Sequence, residues 1–228
     1  MPDLKIDWAT HKAAKYAVMN WHYSQSLPRG KLIKFGVWEN HIFIGVVVFA
    51  RGATPELLKP YGLKQTNGCE LARIALNKHK TPVSKIISIV IRMLAKHYPA
   101  LKIVVSFADC DQCHTGIIYQ ASNWIYTGES KTHKFLVNGR TTHPKTLHTI
   151  YGIGGQSIPW LKKYVDPNVS KINGIKYRYL MPLDKEVRKQ IEPLAKEYPR
   201  SKQAMAVNQQ HSGGVAPTTT LQKAELSG

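Results

Sequence analysis

The chain has 228 residues, 43% of them hydrophobic, enough for one medium-sized domain with a real core. Its 32 Lys and Arg against 14 Asp and Glu give a formal net charge of +18, a balance silent about fold that favours a polyanionic partner. A membrane surface is the rival polyanion, but the sequence has no amphipathic basic helix, no lipidation signal and no run of about 18 apolar residues.

The first residues, MPDLKIDWATHKAAKYAV, lack an apolar signal core, so a cytoplasmic location is expected, with Cys69, Cys110 and Cys113 as reduced thiols. Thr10 is a fitting N-cap for a helix over THKAAKYAVMNWHYS, where Ala14, Ala17, Val18 and Trp21 share a face. KFGVWEN (34–40) and HIFIGVVVFARG (41–52) read as a hairpin turning at Glu39-Asn40, and CELARIALN (69–77) as a further strand. Thr81-Pro82 opens a long amphipathic helix, PVSKIISIVIRMLAKHYP, with Thr81 as N-cap and proline in the first turn. LKIVVSFAD (101–109) is almost continuously apolar, the mark of a buried strand. A short helix, HTGIIYQASN, and two strands, WIYTGE and KFLVNG (134–139), follow.

Residues 140–198 read as a small basic subdomain that completes the fold and contacts a polyanion. It comprises the His-rich RTTHPKTLHTIYGIGGQ, a helix in QSIPWLKKYV and a strand in GIKYRYLMPL. From residue 199 on, the Gly/Ser/Thr/Gln-rich composition predicts a disordered tail. The tail carries three cations and one acid, so +16 of the charge belongs to residues 1–198. The order of elements is α/β, with a core over 1–139 and a mixed sheet in which antiparallel neighbours interrupt any βαβ repeat.

Four motifs carry less than they promise. DCDQCH (109–114) spells a haem-attachment signature, but covalent haem belongs to exported proteins, and consecutive residues on one tight turn seldom close a zinc tetrahedron. The ten histidines show no HExxH spacing, and the residues assign no metal ligands. GIGG (152–155) lacks the strand–glycine–helix context of a dinucleotide loop, and no acidic-proline tetrapeptide of an S-adenosylmethionine methyltransferase is present.

The informative residues flank DCDQCH. Ser106 and Asp109 end the buried strand, and Tyr119 precedes Asn123 by four residues and Trp124 by five. This order resembles the closing motif of the GNAT acyltransferase superfamily, Tyr-x3-Gly-Phe after a buried strand, whose tyrosine protonates the leaving thiolate. Asn123 stands in place of the glycine, and asparagine tolerates the same left-handed backbone. GNAT enzymes hold a pyrophosphate on a glycine-rich loop; here that place reads NKHKTPVSK (77–85), so Lys78, Lys80, Thr81 and the helix amides are the candidate donor-phosphate ligands.

The blocks NWHYSQSLPRGKLIKFGVWEN, GVVVFARGA, KPYGL, CELARIAL, SFAD and KYRYLMPLD, spread over roughly residues 10–190, are similar to the Mom family of phage DNA-modification proteins. The resemblance implies a GNAT-like, largely antiparallel sheet flanked by helices. It also implies conversion of adenine in double-stranded phage DNA to N6-carbamoylmethyladenine, inside the infected bacterium, as protection from restriction. The donor would be an acyl or aminoacyl carrier, acetyl-CoA or glycyl-tRNA, and iron is associated with the family. On this reading His22, Tyr23, Ser106, Asp109 and Tyr119 are the catalytic candidates, with His22 or Asp109 as base and Tyr119 as proton donor. Ser24, Trp38, Glu70, Arg73, Asn123 and Tyr126 are expected around the substrate. Arg29, Lys31, Lys34, Arg140, His143, Lys145, His148, Lys162 and Lys163 are expected on DNA phosphates. Two other classes fit the composition: a non-catalytic nucleic-acid-binding protein, and an acetyltransferase acting on a small amine or protein.

Overall fold

An edge strand that the sequence reading did not foresee, β1 (Leu4–Trp8), precedes the first helix, α1 (His11–Trp21). Thr10 caps α1 as expected, its hydroxyl accepting the Ala13 N–H at 3.1 Å. The hairpin of β2 (Leu32–Glu39) and β3 (Ile42–Ala50) turns at Asn40-His41, one residue later than expected. Both residues have positive φ, 48° and 66°, as two-residue hairpin loops commonly require. β4 (Gly68–Leu76) leads to α2 (Val83–His97), β5 (Ile103–Asp109) and the short α3 (Ile117–Gln120).

The two strands expected after α3 are one, β6 (Ile125–Val137). A bulge between Tyr126 and Glu129, with Gly128 at φ 100°, lets it bend without ending. β7 (Arg140–Thr142), α4 (Pro144–Tyr151) and α5 (Ile158–Tyr164) form a cap, followed by β8 (Ser170–Pro182) and α6 (Lys185–Ile191). The structure, a computed structural model, describes residues 2–52, 54–110 and 114–199. Asp111 to Cys113 of DCDQCH and the tail from residue 200 lie outside the described residues.

The sheet order is β1-β2-β3-β4-β5-β8-β6-β7, and among the described residues only β4 and β5 run parallel. This is the mixed, largely antiparallel α/β architecture, a sheet flanked by helices, that the sequence led us to expect. Ile86, Ile87, Val90 and Leu94 of α2 pack on one sheet face with Phe35, Val47 and Val104. Ala14, Ala17 and Val18 of α1 cover Val46, Val48 and Ala75 on the other, which Val187 and Ile191 of α6 extend over Ile103, Val105 and Leu180. The face assignment follows from strand alternation. Up to Tyr198 the chain forms one compact unit. The region after 139 is interleaved with the part before it, because β8 lies between β5 and β6. The cap adds a small core of its own: Phe135, Val137, Leu147, Leu161 and Val169.

Candidate active site

The parallel pair is short. β4 and β5 are laddered only from Gly68–Leu71 against Ile103–Ser106, and beyond that point no ladder joins them. A bulge helps to turn β4 aside: Val48 pairs with Arg73 and Phe49 with Leu71, so Ala72 is an extra residue. The resulting wedge holds a cleft of about 490 Å³, lined among others by His22, Tyr23, Arg73, Phe107, His114 and Tyr119. Four expected site residues, His22, Tyr23, Arg73 and Tyr119, therefore meet in one place.

Tyr119 lines the cleft, and Ser106, outside the lining, is hydrogen-bonded to it. The Ser106 hydroxyl is 2.9 Å from the Leu71 carbonyl oxygen and 2.8 Å from the Tyr119 hydroxyl, and Ser106 is fully buried. A carbonyl can only accept, so it takes the one serine proton, and the Tyr119 O–H donates to Ser106 Oγ. Burial pushes the Tyr119 phenol up to about 12, so it carries its proton at neutral pH. Its ring is held by Trp124 and Tyr179, centroids at 5.1 and 5.0 Å.

His22 ends α1. The Ser24 backbone N–H donates to His22 Nδ1 at 3.1 Å, with the Ser24 hydroxyl 2.8 Å from the same nitrogen. An amide can only donate, so Nδ1 is the unprotonated nitrogen and Nε2 carries the hydrogen of the neutral ring. Burial, then the charges of Arg73 and His114, bring the His22 pKa down from 6.5 to about 4. At pH 7 His22 is thus a neutral donor, and the nitrogen a base would use is engaged. Ser24 acts as its anchor. The half-exposed Tyr23 stacks on the His22 ring at 4.4 Å and meets His114 edge-on. Arg73 spends Nε on the Ser26 carbonyl (3.1 Å) and a terminal N–H on that of Ala72 (2.7 Å), pinning the loop after α1 to the bulge.

Other expected residues stand elsewhere. Asp109 is buried beside the Lys134 ammonium, 3.4 Å away, and lies outside the cleft lining; its charge raises the pKa of Tyr23 after burial does. Glu70 is also outside the lining. Trp38 packs on Phe43 and across Gly36, where a Cβ would meet its ring at 2.4 Å. Tyr126 is buried against Tyr177 and Tyr179. Asn123 is an exposed turn residue whose φ of 60° is the left-handed geometry expected of it. Among the DNA candidates, Arg29, Lys31, Arg140, His148, Lys162 and Lys163 are exposed, and Lys34 and His143 are partly buried. The side chain of Lys145 lies outside what is described.

The expected phosphate loop is corrected by a residue that sequence reasoning passed over. The carboxylate of Glu39, 5% exposed, accepts the Lys80 N–H at 2.9 Å and the Thr81 N–H at 2.6 Å. Burial would raise the Glu39 carboxyl, but the Thr81 side chain and these two amides hold it below its usual range, so the position expected to cradle a phosphate already contains an anion. Thr81 is accordingly not the cap of α2; Pro82 is, without a side-chain bond. Lys78 is exposed at a φ of 49°. The residues here do not fit a coenzyme A pyrophosphate.

Two more residues were missed. Gly116, at φ 81°, lies flat on the Tyr179 ring, where a Cβ would come within 2.3 Å. The Tyr179 hydroxyl donates to the Thr115 carbonyl, so together they fold the segment after DCDQCH against the floor. Among the described residues no three His, Cys, Asp or Glu side chains converge, which does not fit an iron site there.

A model of the Mom protein family matches residues 3–200. The chain belongs to the Mom family. It is also 27% identical over 195 residues to the methylcarbamoylase Mom of Escherichia phage Mu, covering 83% of this chain and 79% of that protein. Similar solved structures include an N-acetyltransferase from Staphylococcus aureus Mu50 at 14% identity and a TM-score of 0.43, covering 79% of this chain and 98% of that one. A probable acetyltransferase from Staphylococcus epidermidis is similar at 7% identity and a TM-score of 0.46, covering 79% and 99%. No helix of the described residues is long and apolar enough to cross a membrane.

Proposed function

We propose that this Mom-family chain modifies adenine N6 in duplex DNA by acyl or aminoacyl transfer, leaving a carbamoylmethyl group. The observation that carries the reading is the cleft in which a neutral His22 and a protonated Tyr119 face the parted ends of β4 and β5. N6 is a weak nucleophile because its lone pair is delocalised into the ring, so the acyl carbonyl must be polarised. His22 Nε2–H serves as that donor, stabilising the oxyanion as N6 attacks. Tyr119 then gives its proton to the leaving oxygen or sulfur. The Ser106 hydroxyl swings from the Leu71 carbonyl to the tyrosinate and holds its charge.

A glycyl ester of tRNA supplies every atom that the product adds to adenine. N6 displaces the ribose hydroxyl and becomes the nitrogen of a glycyl amide. The free glycyl amine next attacks adenine C6 through a five-membered ring, and the C6–N6 bond breaks. The old N6 leaves as a carboxamide NH2, and the glycine nitrogen becomes the new N6. Such a donor needs no pyrophosphate at α2, in keeping with Glu39 there. Isotope feeding tests this route: 15N-glycine should place label on the nitrogen retained after acid hydrolysis of the carboxamide. Label confined to the released ammonia, or absent, would exclude the rearrangement.

A further inference from the structure

Beyond β5 the sheet continues as a two-stranded arm. β5 ends where Asp109 pairs with Lys176, while β8 runs on to Ser170 and β6 on to Val137. Those roughly six further pairs project about 20 Å at about 3.3 Å per residue. They leave from the C-terminal end of β5, the end at which the cleft opens. The arm and its cap, residues 130–176, hold eight Lys and Arg, of which Lys134 is paired with Asp109 of β5, against one acid. That acid, Asp166, is engaged by the backbone N–H groups of Asn138 (2.7 Å) and Asn168 (2.8 Å). Duplex DNA is the polyanion this charge fits, since a major groove admits a two-stranded ribbon and phosphates line its rims.

The cap also carries apolar residues where solvent should be. Ile153 is 88% exposed and Ile150 61% exposed. Single exposed aliphatics are ordinary; the presentation of Ile153 is not. It sits in the GIGG turn, whose glycines have steric duties. Gly152 takes a φ of 68°. A Cβ on Gly154 would lie 2.3 Å from the Trp160 ring, and one on Gly155 2.2 Å from the Leu147 carbonyl oxygen. The turn is clamped against the cap core, and its one side chain of any size is aimed outward. A β-branched residue on a clamped turn loses little further freedom on insertion.

We propose that Ile153 is a wedge that enters the base stack of duplex DNA while the basic arm holds the backbone. A base must leave the helix for chemistry at its edge, at a cost of a few kcal/mol, and isoleucine is among the side chains that unstack a step. This rests on the reading of the chain as a duplex-modifying enzyme.

The test uses the full chain and a set of duplexes with 2-aminopurine replacing one adenine in varied neighbouring sequence. Fluorescence reports unstacking and anisotropy reports binding. Wild type should bind and raise the fluorescence of at least one duplex several-fold. Ile153→Ala should bind within about 3-fold of wild type and lose most of the rise, and Ile153→Leu should keep it. A rise unchanged in Ile153→Ala, absent in wild type that binds, or lost only in proportion to affinity overturns the wedge. Failure of wild type to bind duplex at all overturns the underlying functional reading instead.

Discussion

Replacing Glu39 with alanine removes the only described acceptor of the Lys80 and Thr81 amides. Lys80 is exposed, so water can satisfy its N–H, but Thr81 is 4% exposed and its amide would be left buried and unpaired. An orphaned buried donor costs about 1–3 kcal/mol. In a domain of this size each kcal/mol lowers the melting temperature by about 2–4 °C, so a drop of about 2–12 °C is expected. Glu39→Gln keeps an acceptor oxygen without the charge and should fall at the lower end. The folded carboxyl titrates below its ordinary value of 4.5. The stability it confers is therefore full above pH 4.5 and fades as pH falls through the lower folded value. Thermal unfolding of the three proteins at pH 7 and pH 4 reads both effects. With the amides freed, the alanine variant should also be stabilised by pyrophosphate more than wild type is. A Glu39→Ala protein that melts with wild type, or a wild type stabilised strongly by coenzyme A, would refute the view that this carboxylate fills the anion position.

Tyr119→Phe removes the proposed proton donor and should lower DNA modification by about 100-fold or more while leaving DNA affinity unchanged; nucleoside analysis beside a filter-binding assay checks it. Ser106→Ala leaves both the Leu71 carbonyl and the Tyr119 hydroxyl without their partner, so a similar loss of modification is expected with a lower melting temperature. The His22 ring should titrate near pH 4 by NMR, remaining neutral from pH 5.5 to 8; a midpoint near 6.5 would return it to the role of base. Lys162→Ala and Lys163→Ala should each weaken duplex binding across all sequences and reduce the slope of log affinity against log salt by about one.

Local chemistry explains what the sequence made legible. Thr10 capped its helix, and Asn123 took the left-handed turn, because each depends on a few neighbouring residues. The Ser106 and Tyr119 positions followed from a strand–helix pattern carried by a resemblance. Glu39 was invisible because its partners, Lys80 and Thr81, are about forty residues away and are met through backbone N–H groups. The hold on His22 was hidden for a similar reason: its Nδ1 is met by the backbone amide of Ser24, which no side-chain pattern announces. The join of WIYTGE to KFLVNG in one strand was hidden by Gly128, which reads as a break and acts as a bulge. Trp38 and Tyr126, expected around the substrate, pack instead on Phe43 and Tyr179, cross-strand neighbours that the sequence alone does not reveal.

The most direct test of the account is the mass of deoxynucleosides from DNA of cells expressing this chain. An adenine species heavier by one carbamoylmethyl group is expected with wild type and not with Tyr119→Phe. An adenine pool of ordinary mass, from cells with folded, DNA-binding protein, would contradict it.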